Sequence, residues 1–169
     1  MPSQKNIIKE RFPILIDYIF GSNKYRVKLL LKIRNKSKKN GFLRAAKFFS
    51  NRLQRYGFYV SANAEIASSV KFPHPVGIVI GEGVVIEERV TIFQNVTLGG
   101  GRIGDGKKGN YPHICKNTTI FAGAVIVGKV KIGQGCIVGA NAVVLQDIPD
   151  FMTAVGAPAR IISGKINNE

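Results

Sequence analysis

The chain reads as an all-β solenoid, a parallel β-helix, preceded by a small basic α-helical segment. Three observations predict this. Aliphatic residues recur every six positions, through Ile80, Ile86, Ile92 and Leu98, then Ile114, Ile120, Ile126, Ile132, Val138 and Val144. A second small or apolar series follows four positions later, through Val84, Val90, Val96, Ala124, Val130, Cys136 and Ala142. Nineteen glycines and no tryptophan suit a chain of frequent corners. Helices repeat at about 3.6 residues and simple strands at about two. Six residues instead make one short strand and a corner. Three such units return the chain to its starting edge one coil higher, so each aliphatic residue stacks on its copies. Gly81, Gly133 and Gly139 follow aliphatic positions, where corners with unusual backbone angles are expected.

The 169 residues suffice for one domain with a real core. No apolar run reaches the roughly 18 residues of a membrane span. The start, MPSQKNIIKERF, is broken by charges and does not read as a secretory leader, so a cytoplasmic chain is expected. Cys136 falls in the inward series and reads as a core thiol, whereas Cys115 follows Ile114 and faces outward or sideways. Two cysteines in such a chain predict no disulfide framework. The sequons at Asn95 and Asn117 are discounted for want of a leader.

The formal charge of +15 is concentrated at the front. Residues 1–56 hold fifteen Lys and Arg against Glu10 and Asp17, a balance of +13, and the remainder holds ten against eight. Residues 6–56 read as two or three helical pieces. Pro13 starts or interrupts the first, and Gly21-Ser22-Asn23 is a break. The run from Lys24 to Ile33 puts Val27, Leu30 and Leu31 on one face, and Lys36–Gly41 reads as a basic connection. A last piece puts Leu43, Ala46, Phe49, Leu53 and Tyr56 at helical spacing. The organisation expected is a basic helical cap over 1–58, a β-helix over 59–150 with a loop at 99–113, and a tail over 151–169. Basic amphipathic helices favour acidic membrane surfaces. The segment therefore reads as a cap that also suits peripheral contact with an anionic membrane. Nucleic-acid binding is not expected, because charge without a recognition motif is a weak signal.

The repeat begins imperfectly with Val60, Ile66 and Phe72, and then its phase slips. Phe72 to Ile80 is eight residues rather than six, and the insertion holds Pro73-His74-Pro75. Extra residues must bulge at a corner, and loops on a rigid scaffold are where chemistry tends to sit. An imidazole there can take a proton from a hydroxyl. Gly99 to His113, GGGRIGDGKKGNYPH, is a second and longer interruption with His113 at its far end. Its near-match to a nucleotide-binding loop lacks the final Ser or Thr and a following helix, so nucleotide hydrolysis is rejected.

The stretches from His74 to Glu82 (HPVGIVIGE), from Ile92 to Gly100 (IFQNVTLGG) and from Val155 to Arg160 (VGAPAR) resemble the serine acetyltransferase family of hexapeptide-repeat acyltransferases. The likeness covers about residues 59–162, and its motifs are specific. It implies a left-handed β-helix, a homotrimer with active sites between neighbouring subunits, and acetyl-CoA as co-substrate. It makes His74 the general base in direct acetyl transfer to a hydroxyl. Backbone N–H groups near Gly99 and Gly100 would meet the oxyanion. Tyr59, Glu82, Gln94 and His113 would belong to the acceptor side, and Gly99, Gly100, Ala122, Ala140 and Arg160 to the coenzyme side.

Two departures accompany the likeness. The family has carboxylates near the base where Tyr59 and Pro73 stand here, and counting back from Ile120 puts Tyr111, not His113, at the place of the family's second histidine. His113 is thus either an acceptor contact or an exposed loop residue. Ala122 and Ala140 share one phase, which suits either a groove for pantetheine or corner geometry alone. No metal is expected, since a three-histidine zinc site is impossible with two histidines. The short basic front segment favours relatives that acetylate sugars in capsular, exopolysaccharide or lipopolysaccharide biosynthesis. A glycan acceptor, reached at the inner membrane face, is the expected substrate. Serine O-acetylation for cysteine synthesis is the alternative, and a non-catalytic scaffold is the other.

Overall fold

The structure is a computed structural model that describes residues 22–101 and 109–162. The helical piece expected before Gly21, the loop tip with Lys107 and Lys108, and the last seven residues lie outside the described residues. Among the described residues two helices come first, α1 (Asn23–Lys39) and α2 (Leu43–Gln54). Fourteen short strands follow among the described residues. They are β1 (Phe58–Val60), β2 (Glu65–Ile66), β3 (Ile78–Ile80), β4 (Val85–Ile86), β5 (Thr91–Ile92), β6 (Thr97–Gly99) and β7 (His113–Ile114), then β8 (Thr119–Ile120), β9 (Val125–Val127), β10 (Lys131–Ile132), β11 (Ile137–Val138), β12 (Val143–Val144), β13 (Thr153–Val155) and β14 (Arg160–Ile162).

These strands visit three sheets in rotation. The first sheet runs β1-β3-β6-β9-β12, the second β2-β4-β7-β10, and the third β5-β8-β11-β13-β14. Every pairing is parallel except that of β13 with β14. This is the coil that the six-residue period predicts. Inside it run three aliphatic ladders: Val60, Ile80, Leu98, Ile126 and Val144; Ile66, Ile86, Ile114, Ile132 and Ile148; and Ile92, Ile120, Val138 and Ala154, all buried. Each fully buried aliphatic side chain contributes about 1.5–3 kcal/mol. Phe58 is also buried and meets Phe72 edge to face at 5.0 Å, closing the bottom of the core.

Register confirms the phase slips. The undisturbed step is eighteen residues, as from Val79 to Thr97 and from Val125 to Val143. Across the His74 insertion it is twenty, as from Glu65 to Val85. Across the long loop it is twenty-eight, as from Val85 to His113. The loop thus adds ten net residues and spans 100–112. Gly99 closes β6 and His113 opens β7, so both expected loop ends are strand residues.

The corners correct one expectation. Gly81, Gly133 and Gly139 do not take left-handed angles. They are small because the next coil passes close: a side chain at Gly133 would meet Asp150, and one at Gly139 would meet Val155. Left-handed φ values sit elsewhere, in one stack between the third and first sheets (Gly77, Asn95, Gly123 and Asn141) and another between the second and third (Arg89, Asn117, Gly135 and Phe151). Asparagine is the non-glycine residue that tolerates this region best.

The helices also differ from expectation. α1 runs through the basic stretch to Lys39, because lysine is a good helix former and its charge suits a helix C-terminus. It ends where Gly41 takes φ 78° and the Phe42 N–H bonds back to Ser37. Val27, Leu30 and Leu31 are buried as expected, and so are Ala46 and Leu53. Leu43 is not: it is 57% exposed. The buried face of α2 passes instead through Ser50.

α1 covers the open edge of the first coil. Arg34 is fully buried, and its Nη2 donates to the carbonyls of Ser61, Ala62 and Ala64 at 2.5, 2.8 and 2.7 Å. Asn35 donates to the Ile66 carbonyl and Lys38 to that of Asn63. No coil precedes these carbonyls among the described residues, so the helix supplies most of their donors. Among the described residues no helix is long and apolar enough to cross a membrane.

Candidate active site

His74 lies on the corner between the third and first sheets, between the bridge of Lys71 to Thr91 and strand β3. The two-residue insertion lets it stand off the coil, and it is exposed. Its ring faces Phe93 at 6.4 Å between centroids, and Phe93 stacks on Phe121 of the next coil at 5.2 Å. Among the described residues no side chain hydrogen-bonds to this imidazole. Tyr59 lies on the outer face of the first sheet, opposite Val79, and Pro73 has no polar side chain to offer. Neither replaces an orienting carboxylate.

The same corner gathers several other expected residues. Gln94 follows Phe93, and its Oε1 is buried without a partner among the described residues. Ala122 and Ala140 occupy the equivalent place in the following coils, with the Asn141 N–H bonded to the Ala122 carbonyl. Arg160 pairs with Val155, just past the third sheet's last parallel strand, and is exposed. His74, Gln94, Ala122, Ala140 and Arg160 thus follow one edge of the coil. Small alanines above an exposed imidazole leave that edge open to an extended ligand.

The remaining expected residues lie elsewhere. Gly99 and Gly100 stand at the far side of the first sheet, at its corner with the second. Glu82 is on that corner too, accepting a hydrogen bond from the Asn63 amide at 2.6 Å. Tyr111, the residue in the family's second-histidine place, packs over Gly81 and Gly83 there. His113 lies on the second sheet, across the triangle from His74. A single chain therefore does not bring His74 together with Gly99, Glu82 or His113.

His113 has its own partner, unforeseen from the sequence. Its Nε2 meets Glu87 Oε1 at 2.8 Å, and Glu87 Oε2 accepts the Lys116 N–H at 3.0 Å. Burial is the largest single influence on Glu87 and raises its pKa, but the His113 contact and the Lys116 N–H together outweigh it and hold the carboxyl below its usual range. Glu87→Gln is expected to cost under about 1 kcal/mol at neutral pH, since both side chains are partly solvated. A depressed carboxylate stabilises the fold above its unfolded pKa. The difference between wild type and variant should therefore vanish as pH falls through the lowered Glu87 pKa. Thermal melts across the acid range check this, and a difference that persists in strong acid contradicts it.

Cys115 lies beside this pair, turned sideways out of the aliphatic core as expected, yet it is buried. Burial, then Glu87, pushes its thiol pKa up, which makes it a poor nucleophile. Cys136 is buried in the core as expected and donates to the Pro149 carbonyl. The donor atoms of Glu87, His113 and Cys115 lie within 4.8 Å of one another. Lys131 pairs in register with His113, and Lys116 follows Cys115. With two lysines at hand, the cluster reads as an ion pair beside a thiol rather than a metal centre. The aromatic pair Phe93 and Phe121 was likewise legible only as a shared phase, each one residue after an inward isoleucine.

Comparison with known proteins places these features. The pattern of the bacterial transferase hexapeptide family (six repeats) matches residues 111–146. The chain is 53% identical over 105 residues to a serine acetyltransferase of Buchnera aphidicola subsp. Schizaphis graminum, covering 62% of this chain and 40% of that protein. It is 46% identical over 101 residues to the serine acetyltransferase of Escherichia coli strain K12, covering 59% of this chain and 36% of that protein. The chain thus spans about two fifths of the length of these curated relatives. Among solved structures, a serine acetyltransferase in complex with CoA superposes with TM-score 0.73 at 29% identity, over 93% of this chain and 66% of that one. Soybean serine acetyltransferase complexed with serine gives 0.75 at 31% identity, over 93% and 65%. The expectation of a glycan acceptor, and of closeness to polysaccharide acetylating enzymes, is overturned by these findings. The matched relatives and structures are serine acetyltransferases, and the short basic front segment was a misleading guide to the acceptor.

Proposed function

We propose that this chain is a serine O-acetyltransferase of the hexapeptide-repeat type, using acetyl-CoA in the cytoplasm and needing no metal. The coil is read as left-handed on the strength of the same likeness. The observation that carries the reading is His74: an exposed imidazole, on an inserted corner, at the foot of an edge lined by small residues.

In this reading His74 takes the proton from the serine hydroxyl as its oxygen attacks the thioester carbonyl. The tetrahedral intermediate then expels CoA as a thiolate, which takes up the proton. Ala122 and Ala140 leave room for pantetheine, and Arg160 meets a CoA phosphate. Tyr59 and Gln94 flank the acceptor beside His74, and a bound ligand or a second copy supplies the donor that Gln94 lacks. The N–H groups of Gly99 and Gly100 stabilise the oxyanion, and Glu82 and His113 complete the acceptor side. Because those last four residues lie away from His74 within one chain, they come from a neighbouring copy. A homotrimer with sites at its seams meets that need. The domain plan is a helical cap, a coil and a tail, with the coil running from Phe58 to Val155 rather than from 59 to 150, since β1 and β13 both pair within it.

The test is release of free CoA thiol from acetyl-CoA by the purified full chain, with and without L-serine. Serine-dependent release is expected. Release no faster with serine than without it rejects this function.

A further inference from the structure

The face of the two helices turned away from the coil has a composition that folding does not require. From Ser22 to Gly57 there are twelve Lys and Arg and no acidic residue. Lys24, Lys28, Lys32, Lys36 and Lys39 recur at three- and four-residue steps along α1, and all are exposed. Residues so spaced share one helix face.

Apolar side chains interrupt this charge at Tyr25, 61% exposed near the start of α1, and in a group around the turn and α2. Phe42 is 65% exposed in the turn between the helices, and Leu43 and Phe48 are each 57% exposed on α2. Leu43 and Lys47, like Arg44 and Phe48, are four residues apart and so adjacent on the helix. Arg52 reaches over the Phe48 ring at 5.8 Å.

The local arrangement works against the helix. Phe42 is the N-cap residue of α2 and makes no capping bond, and the first turn carries no acid. Ser, Asp or Asn there would satisfy an orphan N–H, and an acid would suit the helix dipole. An exposed aromatic cap followed by arginine gains nothing inside the fold, so its use lies outside it.

We infer that this face seats the protein on an anionic lipid bilayer, with Phe42, Leu43 and Phe48 entering the headgroup boundary and the surrounding lysines and arginines meeting lipid phosphates. Basic residues beside exposed aromatic and aliphatic ones are the composition that interfacial helices use. The rest of the chain offers no surplus of negative charge to balance it, since the whole carries +15. The inference is independent of the acetyl transfer.

The test is co-sedimentation of the full chain with vesicles of phosphatidylcholine alone and of phosphatidylcholine mixed with phosphatidylglycerol, at low and at physiological salt. A Phe42→Ser/Leu43→Ser/Phe48→Ser variant keeps every charge and alters only exposed positions, so its fold should survive, as its circular dichroism will show. Binding to the anionic vesicles, weakened by salt, with affinity about tenfold lower in the variant, is the expected result. No binding to anionic vesicles at low salt overturns the inference. So does a variant that binds as tightly as wild type, which would mean adsorption by charge without seating. A change of oligomeric state in the variant, without vesicle binding by the wild type, would assign the face to a second copy. Duplex DNA binding without vesicle binding would assign it to nucleic acid. Either outcome overturns the bilayer.

Discussion

His74→Ala should lower the rate of acetyl transfer by about 10²–10⁴-fold, the usual worth of a general base, and leave the fold as it was. The second half of that expectation follows from the surroundings of the side chain. It is exposed, it touches one aromatic ring, and it lies outside the three buried ladders. Its removal opens no cavity and leaves no described polar group without a partner. The measurement is kcat with serine and acetyl-CoA, beside a thermal melt of the same preparation. Loss of rate with an unchanged melt is the expected pair of results. A rate within a few-fold of wild type would remove His74 from the mechanism, even if serine remains the substrate.

A large loss of stability is expected from Arg34→Met. The guanidinium fills a fully buried site and satisfies three backbone carbonyls from one nitrogen. Burial lowers its pKa to about 10, so it stays cationic at neutral pH. Methionine fills much of the volume but donates nothing. The Ala62 carbonyl would then lose its donor, while Ser61 would keep only the Ala64 N–H and Ala64 only Lys38, each at 3.2 Å. Hydrogen bonds to charged groups are worth roughly 1.5–3 kcal/mol each, and stranded acceptors cost on the same scale. Water reaching the coil edge offsets part of this, which leaves an expected loss of about 3 kcal/mol. Urea unfolding at neutral pH reads it as a lower midpoint with an unchanged slope. Arg34→Lys should recover only part, because lysine is shorter and lacks the second nitrogen with which Arg34 also donates to Asn35. A midpoint equal to that of wild type would mean that α1 caps the coil by packing alone.

The coil was legible in the sequence because its signal is local and repeated. One inward residue in six, copied from Ile80 to Val144, fixes the strand positions without knowledge of what pairs with what. The slip at His74 was legible for the same reason, as two residues too many between Phe72 and Ile80. Contacts across coils were not. Glu87 finds His113 only because the long loop adds ten net residues, a number that emerges from the register and from no motif. The position of His113 was hidden in the phase all the same: like Val85 and Lys131, it precedes an inward isoleucine. On the helices, periodicity gave a face but not its centre. Which side of α2 meets the coil depends on how α1 already lies there, and Leu43 fell on the wrong side of that choice. The acceptor was read from the charge of the front segment, a property of the surface that says little about the chemistry at a distant corner.

The long excursion between β6 and β7 stretches three successive strand pairings to twenty-eight residues while leaving every ladder in place. Closing twenty-eight residues instead of eighteen costs roughly 0.4 kcal/mol in chain entropy. So small a penalty makes the stretch between Gly100 and Tyr111 the place where a change of length costs the fold least. Descendants of this chain can try out new loops here, generation after generation, while the prism beneath keeps its shape.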